Sequence, residues 1–159
     1  MTDHDPRHDF DFFNGTWTGR HRQLRDRLSG CSEWTEFESR SWVKPLAGGA
    51  AQIDQVSWER AGGPVYGITL RLYDPLADQW SMNWADNSTG RLFPPMIGRF
   101  RDGVGVFGGT DTCRGENVLS RFTWFEITPT SATWEQAFSG DAGLTWETNW
   151  RTEFTRISS

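Results

Sequence analysis

From Thr16 onward, hydrophobic and polar residues alternate in short runs separated by turn residues, and little of the chain keeps a helical spacing. Over 16–28, Trp17, Gly19, His21, Gln23 and Arg25 share one face, and Thr18, Arg20, Arg22, Leu24 and Asp26 share the other. The run SEWTEFESRSWV predicts a second strand ending at Val43, before Lys44-Pro45. AAQIDQVSW predicts a third over Ala51 to Trp58. VYGITLRLYDP places Tyr66, Ile68, Leu70 and Leu72 on one side, and QWSMNWAD aligns Trp80, Met82 and Trp84. Pro94-Pro95 makes 87–95 a loop or rim element. Arg101-Asp102-Gly103 predicts a hairpin between IGRF and VGVFGG. NVLSRFTWFEI, SATWEQAFS and LTWETNWRTEFTR complete the series.

The pattern is all-β, nine or ten short antiparallel strands without room for crossover helices, which means a sandwich or a barrel. The last hairpin favours the barrel. With Phe138 facing Trp146, Gln136 meets Thr148 and Trp134 meets Trp150, and Thr152 and Phe154 continue an aromatic face. Glu135, Glu147, Asn149, Arg151 and Glu153 form a wet one. Closure also removes the exposed sheet edges. Residues 1–9 read as a flexible N-terminus and 10–159 as one domain. DFDFFNG brings Phe10, Phe12 and Phe13 into a short helical plug before the first strand.

Composition narrows the chemistry. The 159 residues carry a formal net charge of −5, with 10 Trp and 11 Phe among few Leu, Ile and Val. That many aromatics exclude a disordered polyelectrolyte, and the acidic balance gives no attraction to nucleic acid. Lys44 is the single lysine among 16 basic residues, a genome bias before it is a functional signal. Neither a membrane span nor a secretory signal is present, and Cys31 and Cys113 read as free thiols, so a cytoplasmic location is expected. No metal site is expected, because the three His (His4, His8, His21) crowd the N-terminus and no CxxC pair exists. The sequence also has no GxSxG, P-loop or HExxH motif, and no cofactor is implied.

Two patterns resemble known families. FDFFNGTWTGR sets Gly15-Thr16-Trp17 where lipocalins and other calycins carry Gly-x-Trp, after a helical plug and opening the first strand; nitrobindin-type barrels open similarly. The resemblance implies an antiparallel up-and-down calycin-like barrel in which Trp17 closes the base under a late-strand Arg, here Arg156. The nitrobindin heme role does not carry over, since its axial His lies late in the barrel and none follows His21; Cys113 and Tyr73 are the remaining candidate ligands. LRLYDPLADQWSMNWAD, PPMIGRFRDGVGVFGG, RFTWFEI and WEQAFSGDAGLTWETNWRTEFTR look like an uncharacterised bacterial domain family with no established reaction.

A Trp-rich lumen accepting a small apolar or aromatic molecule is the leading expectation, walled by Trp84, Trp124, Trp134 and Trp150. Gly19 would let the ligand approach the backbone, and His21, Gln23, Asp54 and Gln136 would supply directed polar contacts. The rival is a cofactor-independent cyclase or isomerase using His21 and Asp54 as an acid–base pair. A third reading fills the interior with side chains and leaves the surface for association; a homodimer is compatible with all three. An inward Asp54 needs a partner such as His21 or Arg71. Yet Arg71 and Arg121 stand opposite their apolar neighbours and are expected on the outer wall, as are Glu36 and Glu38.

Overall fold

The computed structural model describes residues 3–159. Ten antiparallel strands form one closed barrel in which each strand pairs with its neighbour in sequence, and the first and last close the ring. The strands are β1 (Gly15–Leu24), β2 (Trp34–Leu46), β3 (Ala51–Trp58), β4 (Val65–Asp74) and β5 (Gln79–Asp86). They continue as β6 (Met96–Arg101), β7 (Val104–Cys113), β8 (Glu116–Phe125), β9 (Ser131–Ser139) and β10 (Glu147–Ser158). No helix among the described residues is long and apolar enough to cross a membrane.

The turns have the expected chemistry. Asp102-Gly103 and Arg114-Gly115 take positive φ at both central positions (52° and 79°; 50° and 79°), the twist that a two-residue hairpin requires. β2 runs three residues past Val43, through the stop expected at Lys44-Pro45. Pairing with β1 ends at Gly15↔Val43, so beyond Val43 only β3 flanks β2, and the missing N–H of Pro45 costs no ladder bond on the open side.

One end is sealed by aromatic rings. Pro6–His8 and Asp11–Phe13 form 3-10 turns that bring Phe10, Phe12 and Phe13 into the barrel. Phe10 meets Trp80 and Phe100 edge-on at 5.1 and 5.0 Å, and Phe13 meets Trp124 and Phe154 at 4.9 and 5.0 Å. Within the stretch expected to be flexible, Trp80 Nε1 donates to the Pro6 carbonyl at 3.0 Å; Met1 and Thr2 lie outside the described residues. Trp17 is fully buried, donates to the Phe13 carbonyl at 2.9 Å, and lies under the Arg156 guanidinium at 4.3 Å. The same guanidinium donates to the carbonyls of Phe12, Asn14 and Pro129. Arg156 therefore ties β10 to the plug and to the β8–β9 turn.

Three sequence expectations are corrected. On β4, Val65, Gly67, Thr69 and Arg71 point inward, while Tyr66, Ile68 and Leu72 are exposed. The apolar set is not the core face that the alternation predicts: β3 presents Gln52 and Asp54 opposite Arg71 and Thr69, and polar pairing decides the orientation. In the closing hairpin, Phe138 faces Glu147, and a bulge between Thr148 and Trp150 brings Trp150 opposite Gln136 and Thr152 opposite Trp134. The bulge turns Asn149 inward, fully buried, where its Oδ1 accepts from Gln136 Nε2 at 2.9 Å. Trp146 leaves the aromatic face and lies instead under Arg121, 4.3 Å from ring to guanidinium.

Candidate functional site

Above the plug the barrel encloses a cavity of about 320 Å³. Its floor is Phe13, Asp54, Arg71 and Trp124, its walls include Trp58, Trp84, Phe122, Trp134 and Trp150, and its rim carries Arg27, Arg60, Asp86 and Asp111. This volume stands at the lower end of small-molecule sites, which run from roughly 300 to 1,000 Å³.

The floor is a buried polar network. Arg71 Nη1 donates to Asp54 Oδ2 at 2.6 Å and to Gln52 Oε1 at 3.2 Å; Gln52 Nε2 in turn donates to the Phe10 carbonyl at 2.8 Å and to Asn14 Oδ1 at 2.9 Å. The guanidinium also lies 5.1 Å from the Phe10 ring and 5.3 Å from Phe13. Burial raises the Asp54 carboxyl above its ordinary range, and the Arg71 charge beside it works against that rise.

His21 is held midway up the wall. An indole N–H can only donate, so the 3.0 Å contact from Trp150 Nε1 makes His21 Nδ1 an acceptor. The proton is then on Nε2, which donates to Ser39 Oγ at 2.7 Å; the Thr152 hydroxyl lies 2.9 Å from Nδ1. Phe37 stacks on the ring at 4.5 Å, and burial pulls the pKa down to about 4. His21 is thus a neutral imidazole with both nitrogens engaged. Its polar neighbours are Ser39, Trp150 and Thr152, whereas Asp54 pairs with Arg71.

Trp84, Trp124, Trp134, Trp150, His21, Gln23, Asp54 and Gln136 all line the cavity. Trp134 and Trp150 meet edge-on at 5.5 Å. Trp84 lies flat on β4 because position 67 is glycine: a Cβ there would be 1.9 Å from Trp84 Cη2. Gly19 does not line the cavity. A Cβ at that position would lie 2.5 Å from Ser39 Oγ and 3.1 Å from His21 Nε2, so its bareness makes room for the His21–Ser39 bond rather than for a ligand. Arg71, expected outside, is the main residue that sequence reasoning misplaced, and Trp58 and Phe122 were not singled out. The Arg71 charge balances the inward Asp54, for which the sequence offers His21 or Arg71 as partner, and the geometry selects Arg71. Glu36 and Glu38 are exposed, as expected, while Cys113 and Tyr73, the alternative heme ligands, do not line the cavity.

Closure, plug and cavity define a calycin-like barrel. Among the solved structures that match the chain, one shares its fold. The S-type phycobiliprotein lyase CPES from Guillardia theta matches with a TM-score of 0.61 and 13% identity, over 94% of this chain and 91% of that one. A redesigned β-barrel, mFAP0, bound to DFHBI, matches with a TM-score of 0.49 and 13% identity, over 91% and 99%. No family model and no curated protein matches the chain.

Proposed function

We propose that this chain binds one small hydrophobic or aromatic molecule in its Trp-rich lumen. The observation that carries the reading is the cavity of about 320 Å³, faced by flat rings on opposite walls with polar groups placed among them. Trp84, Trp124, Trp134 and Trp150 supply contact area; Gln23, Gln136, His21 and Asp54 supply direction. The likeness to the phycobiliprotein lyase concerns fold alone, so the cavity bears the argument.

The rival is a cyclase or isomerase acting through His21 and Asp54. It has less support, since both His21 nitrogens and the inner Asp54 oxygen are engaged by other side chains. The test is titration of the protein's Trp fluorescence with naphthalene derivatives, alongside native mass spectrometry of protein from its own host. Saturable quenching, weakened at least tenfold when Val56→Trp fills the lumen, supports binding. Quenching that is linear and identical in both proteins sinks it.

A further inference from the structure

Four buried side-chain polar atoms among the described residues lack a partner, and two of them, Nε of Arg71 and the indole Nε1 of Trp124, belong to residues of the cavity floor. Both residues line the cavity floor, each is 3% exposed, and the guanidinium carbon is 5.8 Å from the centre of the Trp124 ring. Buried donors are almost always satisfied, because an unpaired one forfeits its hydration without return. The protein's own nearby acceptors are turned elsewhere. Asp54 Oδ2 and Gln52 Oε1 both serve Nη1, on another edge of the guanidinium, and the Gln52 amide nitrogen is given to the plug.

Charge selects the kind of acceptor. Arg71 is already balanced by Asp54 at 2.6 Å. An anionic ligand would bring a second negative charge beside Asp54 in a water-poor site, where like charges repel far more strongly than in solvent. A neutral oxygen with two lone pairs meets the donors without that repulsion. Above the floor the walls include the rings of Trp58, Trp84, Phe122, Trp134 and Trp150, which favour a flat, apolar remainder of the molecule.

Resting on the lumen-binding reading, we propose that the ligand class is a neutral planar aromatic carbonyl compound, a ketone or quinone. It enters oxygen first and accepts from Arg71 Nε–H and Trp124 Nε1–H.

Three probes separate the alternatives by calorimetry on the full chain: 2-acetylnaphthalene, its hydrocarbon counterpart 2-isopropylnaphthalene, and 2-naphthoate. The ratio of ketone to hydrocarbon affinity cancels the difference in hydrophobicity. It is expected to fall at least fivefold in Trp124→Phe, which keeps a ring and removes the N–H, and in Arg71→Lys, which keeps a cation for Asp54 and removes Nε. The carbonyl stretch of bound 2-acetylnaphthalene is expected at lower frequency in the parent protein than in either variant. If Arg71→Lys does not fold, Trp124→Phe carries the test. An unchanged ratio and stretch with both neutral probes binding overturns the carbonyl seat and leaves lumen binding standing. Tighter binding of 2-naphthoate than of the ketone overturns the preference for a neutral acceptor. Failure of all three probes to bind overturns both readings.

Discussion

Acidification is expected to destabilise this barrel through a single imidazole. His21 is buried, neutral and protonated on Nε2, with Nδ1 accepting from Trp150 and lying 2.9 Å from the Thr152 hydroxyl. Adding a proton to Nδ1 would place a charge where water is scarce, and this burial pulls the pKa from 6.5 down to about 4; the proton would also set two donors against each other. The unfolded chain takes up this proton as pH drops through 6.5; the folded chain does so only near 4. Stability from the neutral ring is therefore complete above pH 6.5, declines across the interval, and is lost below 4, a total of about 3 kcal/mol at 1.36 kcal/mol per pKa unit. Urea unfolding at half-unit steps from pH 7.5 to 4 gives the curve for the parent protein. His21→Gln, which can still donate to Ser39 and accept from Trp150 but does not titrate, gives the curve due to all other groups. The difference between the curves should grow by about 3 kcal/mol as pH falls from 6.5 to 4. Parallel curves, or an NMR titration of His21 centred near 6.5, would refute the argument.

Three further substitutions probe the frame and the site. Arg156→Met removes the cation over Trp17 and three charged bonds to carbonyls; a loss of about 2–3 kcal/mol in urea unfolding is expected. Gly67→Ala puts a methyl 1.9 Å from the Trp84 ring, which must swing toward the lumen, so the affinity of an aromatic probe should fall more than tenfold, read by calorimetry. Arg71→Met strands Asp54 as a buried unpaired carboxylate and should cost about 3–5 kcal/mol, most of it recovered in the double variant with Asp54→Asn; a double variant as unstable as the single would show the pair is not the cause.

Much of this architecture is legible from alternation and turn residues, because those signals are local. Trp17 under Arg156, the Phe10–Phe13 plug, the Asp102-Gly103 hairpin and the inward run Trp17–Gly19–His21 all follow from spacing along one strand or from the Gly-x-Trp resemblance. What spacing hides is which of two alternating faces a strand buries when neither is plainly polar. β4 offers Tyr66, Ile68, Leu70 and Leu72 against Val65, Gly67, Thr69 and Arg71, and the second set is inside because its neighbours across β3 and β5 need it. Asp54 requires a cation, and the ring of Trp84 requires the bare backbone of Gly67. The sequence offers His21 or Arg71 for that partner, and only the register decides between them and shows the need for Gly67. The bulge at Asn149 is hidden for a related reason: one extra residue changes the parity of everything before it, and nothing in LTWETNW marks where that residue sits.

The cavity itself follows from strand number and from the kind of side chain used to fill it. An eight-stranded barrel is just wide enough for side chains to occupy, and the lumen widens roughly in proportion to the count, so ten strands leave a space that inward residues alone do not span. The plug resolves this at one end by adding a third source of bulk, Phe10, Phe12 and Phe13, which meet rings from β5, β6, β8 and β10. Toward the other end no segment among the described residues enters, and much of the wall is rings, which cannot bend to close the gap as the Met82 and Met96 side chains beside them can. The four wall indoles have different anchors: Trp150 is held by His21, Trp84 by Gly67 and Asp86, Trp134 by Phe122 and Trp58 by Phe37. Collapse of the cavity would require these separate anchors to fail together. An interior kept open by rigid rings, with unpaired donors on the residues of its base, is arranged to receive a molecule, and this arrangement sustains the binding proposal.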